Sequence, residues 1–276
     1  MRRYHPLTVV KHLVLCLLSL AFAGPFVWVI ATSLKASSEF FSPNFLPMDG
    51  LQWENYTQAF VTYGLAHNYF NSLTVTVAAV GLGLAIALLA AYGMFRLRFR
   101  FRNTVFVALV VVMMMPPQLT LISQFLLFQK SGILYSPLAL ILPYTLGVLP
   151  LSVFILRSFF KELPIDLDHA ARMDGATDLQ IVRLVLLPLS VPVLATAGIL
   201  TFIQTWNEFL LASIFVRSDW ATIPVAVANI NNIATQDGNQ PMKFAAVVLS
   251  FLPLFVLFLF LQRFFVKGLA SGGVKG

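Results

Sequence analysis

Few residues in this chain have the means to do chemistry, and most of them stand alone. His5, His12, His67 and His169 are not spaced with cysteines or carboxylates as a zinc site demands. Cys16, the single cysteine, lies within an apolar run, where no intrachain disulfide forms and a small packing role is expected. No glycine-rich loop ends in Lys-Ser or Lys-Thr, so the sequence carries no P-loop for ATP. One stretch is different. Between Ser158 and Pro192 lies a polar, helix-forming segment flanked by long apolar runs, a hook of about 158–188. Its centre reads Asp168-His169-Ala170-Ala171-Arg172-Met173-Asp174-Gly175-Ala176. Pro164 suits a first helical turn, where its missing N–H is not needed. Asp166 is placed to accept a bond from a free N–H of that turn. Leu167, Ala170 and Ala171 fall on one face, while Asp168 and Arg172, four apart, are spaced to pair on the other. Gly175 supplies the left-handed residue that ends a helix. Thr177, with Gln180 three residues on, forms a capping-box pattern that starts a second one. The chemistry this hook offers is docking, because paired alanines present a flat surface to another protein's groove. An ordinary connecting loop would carry the same spacing.

A second set of polar residues interrupts the apolar runs. Such groups are costly in hydrocarbon and face a cavity or another helix. Pro116, Pro117 and Gln118 follow three methionines, and Gln124 lies one to two turns later. Two prolines free carbonyls from the helical ladder, which is tolerated only against protein or water. The break is therefore either a kink buried in helix packing or part of a pathway lining. Gln204 and Asn207, followed by Glu208, close another run. From Pro188 to Glu208 is roughly 30 Å of helix, which puts Glu208 near the outer interface. A solvated carboxylate fits there; a proton-coupling acid is the sharper alternative.

These residues need elements to position them. The 276 residues are 59% hydrophobic and 11% charged, against roughly 25% charged in a soluble domain. Lipid is the solvent for such a chain, and an all-α membrane protein follows, with one transmembrane domain over 1–276. Six spans of near-bilayer length are expected at about 13–34, 72–95, 105–128, 134–156, 189–209 and 245–265, with the hook as a cytoplasmic helix pair between spans four and five. The first run continues past a cleavage-like Ala21-Phe22-Ala23, so it reads as an uncleaved anchor rather than a signal peptide. With both termini inside, 14 of the 18 basic residues are cytoplasmic, leaving Lys35, Lys130, Arg217 and Lys243 outside. The Arg96–Arg102 stretch suits anionic headgroups better than nucleic acid, which is not expected as a partner. External segments fall at about 35–71 and 217–243. The second is rich in amides and makes Asn229, Asn231, Asn232, Gln236 and Asn239 candidates for contact with a partner. Gly81 with Ala85, and Gly83 with Ala87, have the small-xxx-small spacing of close helix packing.

The hook, followed by Leu187-Pro188, closely resembles the coupling loop of binding-protein-dependent ABC importer permeases, and the surrounding text resembles their carbohydrate-uptake, maltose-type branch, in particular the smaller maltose permease. The likeness includes Trp53-Glu54-Asn55-Tyr56, Asn71-Ser72, the Met-Pro-Pro break, Trp206-Asn207-Glu208-Phe209, Pro253, Gln262-Arg263 and the closing Gly272-Gly273-Val274-Lys275-Gly276. The resemblance implies a second permease subunit, two ATPase subunits that hold ATP and magnesium, and an extracytoplasmic sugar-binding protein. No cofactor is expected on this chain, and it is not expected to be an enzyme. Asp168 to Ala176 would enter a cleft on the ATPase. The cytoplasmic tail, about 266–276, would reach the ATPases through Gly272, Gly273, Lys275 and Gly276. The family usually has Glu where this chain has His169, an imidazole that does not supply the family's anion. Either Asp168 takes over that pairing from one residue earlier, or the partner cleft differs. A gradient-driven secondary transporter or channel would need an ionisable residue near mid-span, and none is present. A structural membrane scaffold would leave the hook and the polar kinks unexplained.

Overall fold

The computed structural model describes residues 6–97 and 100–272, and all regular structure among them is helical. In chain order come α1 (Pro6–Ser33), α2 (Glu54–Thr57), α3 (Leu65–Arg96), α4 (Arg102–Met114), α5 (Leu121–Lys130), α6 (Leu138–Glu162), α7 (Asp166–Met173), α8 (Asp178–Gln180), α9 (Leu187–Trp206), α10 (Leu210–Phe215), α11 (Ile223–Gln236) and α12 (Gln240–Gly272). Among the described residues five segments are long and apolar enough to cross a bilayer: Val10–Ser33 in α1, α3, α6, the Asp178–Trp206 stretch and Gln240–Phe260 in α12. A sixth candidate is broken. Arg102–Met114 and Pro117–Lys130 pass the same test only as a pair, bent by 96°. The cause is local. A residue before proline is pushed out of the helical region, and Met115 and Pro116 both precede one. Both are extended, with ψ of 130° and 126°.

Three sequence expectations are corrected here. The second span begins at Leu65, so the last residues of the expected 35–71 external segment belong to α3. The expected 217–243 loop is mostly the helix α11, with only residues 237–239 before α12. Its buried Ile223, Ala226, Ile230 and Ala234 recur at helical spacing, a period hidden in sequence by the intervening amides. The tail is also helical further than expected, since α12 continues to Gly272. Gly273, Lys275 and Gly276 lie outside the described residues.

The chain divides into two compact units. The first combines Met1–Ala66 with Ala226–Leu252. In it, Trp28 meets Phe244 edge-on at 5.4 Å and Phe26 meets Phe251 at 6.2 Å. After α1, Asn55 is buried and its amide donates to the carbonyls of Ser33 and Lys35, fixing the chain's exit from the span. The Glu39 carboxylate accepts the N–H groups of Met48 and Asp49. None of the apolar window of α1 is buried. Cys16 is accordingly exposed, and the packing role expected for it is not met within this chain.

The second unit combines His67–Val225 with Pro253–Gly276. Its core has two clusters. One gathers Val75 and Ala79 of α3, Phe128 of α5, Leu140 and Tyr144 of α6, and Phe215. The other gathers Ala87, Ala91 and Tyr92 of α3, Val153, Leu156 and Phe160 of α6, and Ile181, Val182 and Leu186. Those last three lie on a π-helical turn, Ile181–Leu186, whose wider winding lets both Ile181 and Leu186 turn inward. Of the two small-residue pairs, Gly83 and Ala87 are buried while Gly81 and Ala85 stay exposed. A Cβ built on Gly83 would lie 2.5 Å from Val148 Cγ1, so α3 and α6 touch backbone to side chain there.

Candidate functional site

The hook forms as two short helices with a tight turn. Gly175 has φ +81°, the left-handed conformation expected of it. Its N–H donates to Arg172 O at 3.0 Å and the N–H of Ala176 to Ala171 O at 2.9 Å. These two bonds make a Schellman motif, which satisfies the last carbonyls of α7. The capping box is complete: Gln180 N–H donates to Thr177 Oγ1 and Thr177 N–H to Gln180 Oε1. Asp166 does not cap. It is the first helical residue, no side chain caps the helix start, and Pro164 lies before the helix.

The expected Asp168–Arg172 pair is also absent, because α7 turns Asp168 inward against the end of α3. Asp168 Oδ2 lies 3.5 Å from Arg96 Nε, with both side chains almost fully buried. Arg96 Nη2 donates to Leu163 O at 3.2 Å. Arg172 instead reaches forward to Asp178, and also donates to the Tyr92 hydroxyl at 3.3 Å. Tyr92 in turn donates to Asp178 at 2.9 Å. The hook is thus tied to α3 at two places. Ala171 and Ala176 pack onto the cluster around Tyr92, Phe160 and Ile181, so the alanine pair is split between two faces. Ala170, His169 and Asp174 remain exposed. Around them stand Ile165, Met173 and Leu179, large apolar side chains that are 53%, 88% and 67% exposed. The outer side of this doubly capped hook is thus apolar and uncovered within the chain.

The polar residues at depth separate into two groups. Pro117, Gln118 and Gln204 line one cavity of about 110 Å³, together with Tyr144, Thr205 and Glu208. Pro116, Gln124 and Asn207 are not in its lining. Gln124 donates to Thr120 Oγ1 one turn back, and Asn207 donates to Ile203 O, closing the end of α9. Glu208 is not a freely solvated carboxylate. It is half-buried, accepts the Tyr144 hydroxyl, and caps α10 by accepting the N–H groups of Leu211 and Ala212 at 2.9 and 3.2 Å. On α11, Asn229, Asn231, Asn232 and Gln236 are exposed. Asn239 is half-buried and internally engaged, accepting from Ser37 and donating to Gln58. Asp237 accepts from Tyr63, and that bond raises the Tyr63 phenol above its ordinary value of 10.0.

Comparison with known proteins reaches the same place from another direction. Residues 82–271 match the family described as binding-protein-dependent transport system inner membrane component. The chain belongs to this family. It is 33% identical over 258 residues, 93% of this chain and 85% of the relative, to a probable ABC transporter permease protein, YurM, of Bacillus subtilis (strain 168). It is 30% identical to the melibiose/raffinose/stachyose import permease protein MelC of the same organism, covering 91% of each chain. Among solved structures, a chain from a bacterial ABC transporter involved in import of the acidic polysaccharide alginate superposes with a TM-score of 0.77. It covers 96% of this chain and all of that one at 22% identity, so it speaks for the fold. A multi-pass inner-membrane permease component of an ABC import system is therefore established, and the gradient-driven alternative is set aside.

For this permease, sequence spacing missed the residues that hold the hook. Arg96 and Tyr92 are 72 or more positions away from Asp168 in the chain and carry no local signal. Met173 and Leu179 did carry one, since large apolar residues in a polar stretch need a partner to cover them. Tyr144 was hidden as one more aromatic in an apolar run.

Proposed function

We propose that this permease imports a sugar or oligosaccharide together with a second permease subunit, two ATPase subunits and an extracytoplasmic binding protein. ATP and magnesium belong to the ATPase subunits. The observation that carries the reading is the hook: a doubly capped helix pair fastened to the core by Tyr92 and Arg96, with an apolar, uncovered outer face. A passive permeation bundle has no use for such a part; a chain that receives motion from an ATPase does. His169, Ala170 and Met173 would meet the ATPase directly, and Asp168, Ala171, Arg172, Gly175 and Ala176 would hold the contact in shape. His169 is the outward residue here and Asp168 is spoken for by Arg96, which favours a partner cleft adapted to an imidazole. Sugar as cargo is supported by relatives named for melibiose, raffinose and stachyose, for trehalose and for arabinooligosaccharides. Gln118 and Gln204 offer amide donors and acceptors on the pathway wall, suited to hydroxyl-rich cargo.

Both termini are proposed to be cytoplasmic, on the basic-residue split. Single cysteines replacing Ser38, Asn103, Asp174 and Asn232, introduced with Cys16 changed to Ser, should label from outside, inside, inside and outside. Labelling of the Asp174 position from the external face would reject both the topology and the coupling role.

The reading is tested most directly by ATP hydrolysis in proteoliposomes. The reconstituted transporter should hydrolyse ATP faster when sugar-loaded binding protein is added outside. Replacing Asn229, Asn231, Asn232 and Gln236 together with Ala keeps α11 helical, since Ala is the strongest helix former. That variant should lose most of the stimulation and keep its basal hydrolysis. Unchanged stimulation would remove α11 from the binding-protein contact.

A further inference from the structure

Three features of α3 belong together. At its outer end, buried side chains fasten the turn that begins α11. Asn68 Nδ2 donates to Ala221 O at 2.9 Å, Asn71 Nδ2 to Asp219 O and Ala221 O at 3.0 and 3.1 Å, and Ser72 Oγ accepts the Ile223 N–H at 2.7 Å. With little water to exchange for these bonds, they hold the turn firmly. At its cytoplasmic end, Tyr92 bonds to both halves of the hook, to Arg172 in α7 and to Asp178 in α8. Between these ends α3 is one α-helix of 32 residues with no proline. At Gly83 its backbone bears on α6, where an added Cβ would lie 2.5 Å from Val148 Cγ1, 2.7 Å from Val148 Cβ and 3.3 Å from Thr145 O. From Asn71 to Gly83 is about 18 Å and from Gly83 to Tyr92 about 14 Å, at 1.5 Å per residue.

We propose that α3 is a lever that pivots on α6 at Gly83 and carries displacement of the Asp219–Ile223 turn to the coupling hook, with Asn71 and Tyr92 as positioning residues. The proposal rests on the functional reading above, in which the outer segment meets a binding protein and the hook meets an ATPase. The other helices that meet the hook are poorer rods. The hook leads into α9 through the π-helical turn Ile181–Leu186 and past Pro192, and α6 holds Pro143 and Pro150 before breaking at an extended Leu163. Kinks and π-turns absorb displacement that a regular helix passes on. The arms on either side of Gly83 are comparable, so a small tilt moves the two ends in opposite directions, the outer end somewhat further.

The test uses the complete transporter in nanodiscs, with ATP hydrolysis measured with and without sugar-loaded binding protein. Asn71→Leu and Tyr92→Phe should each assemble and keep basal hydrolysis, and Asn71→Leu should lose stimulation by about fivefold or more, the low end of allosteric coupling. Combining them should cost no more than the worse single change, because one lever is interrupted once. Sites this far apart with no shared partner otherwise multiply their effects. Gly83→Ala should jam the pivot, and Gly83→Ala with Val148→Gly, which removes both the Cγ1 and the Cβ that the new methyl would meet, should recover. Multiplicative losses, or full stimulation in Asn71→Leu, would overturn the lever. If Asn71→Leu does not accumulate, the pivot pair decides: recovery by Val148→Gly supports the proposal, and undiminished stimulation in Gly83→Ala rejects it. A wild-type complex that ignores the binding protein would reject the functional reading, and the lever with it; once the wild type responds, the variants judge the lever alone.

Discussion

Gly175→Val is expected to leave the permease in the membrane and to abolish binding-protein-stimulated ATP hydrolysis. Gly175 sits at φ +81° with open space around the position a Cβ would take, so the penalty comes from the backbone and not from a neighbour. A β-branched residue is strongly disfavoured there, at a cost of about 1–3 kcal/mol. Since 1.4 kcal/mol is about tenfold in population, the weight of the left-handed turn against its alternatives falls by about 5- to 150-fold. Two bonds depend on it, Gly175 N–H to Arg172 O and Ala176 N–H to Ala171 O. Losing them lifts Ala176 from the core and moves Thr177, the cap of the second helix. Gly175→Asn should behave almost as wild type, because Asn visits the left-handed region readily. The pair of variants separates conformation from chemistry. Measured stimulation that is equal in Val, Asn and wild type would show that the turn plays no part in coupling.

The turn and caps of the hook were legible because they are local. Gly175, Thr177 and Gln180 act within five residues of one another, and each has a side chain suited to one conformation. The Pro116–Pro117 break was legible for the same reason. What the spacing misplaced was every contact that crosses the chain. Asp168 and Arg172 are spaced to pair on an isolated helix, but α7 is not isolated. Its inner face meets α3, and a carboxylate turned into that contact needs a cation there, which Arg96 supplies. Once Asp168 is taken, Arg172 turns to Asp178. The same logic explains α11. Its apolar period was present, but Asn and Gln are frequent in loops, and their number masked four buried residues at helical spacing. Asn239 illustrates the limit from the other side, since nothing in its neighbours shows that Ser37 and Gln58 will claim it. The pathway candidates divide by the same rule, because a cavity is defined by what converges on it. Gln204 of α9 and Gln118 after the break converge with Tyr144 of α6 on one wall, while Asn207 closes its own helix.

Breaking the Arg96–Asp168 pair should cost more than deleting it. The two side chains are 2% and 5% exposed, and the contact is a loose one at 3.5 Å. Asp168 Oδ1 and Arg96 Nε make no hydrogen bond among the described residues. A buried charge left without its partner costs about 3–5 kcal/mol, whereas replacing both members by apolar groups is neutral or stabilising by about 1–4 kcal/mol. Asp168→Asn and Arg96→Met should therefore each lower the melting temperature of the purified permease and loosen the hook, read as faster hydrogen exchange over residues 166–176. Arg96→Met combined with Asp168→Leu should restore both to wild-type values or better. Coupling discriminates between the two roles open to Asp168. If its carboxylate docked on the ATPase, the apolar pair would be as uncoupled as Asp168→Asn, because the anion is missing in both. If it positions the hook from beneath, as its burial and its ion pair with α3 favour, the apolar pair should recover stimulated hydrolysis along with stability. Recovery of stability without recovery of stimulation would return Asp168 to the partner interface and make the Arg96 contact incidental to coupling.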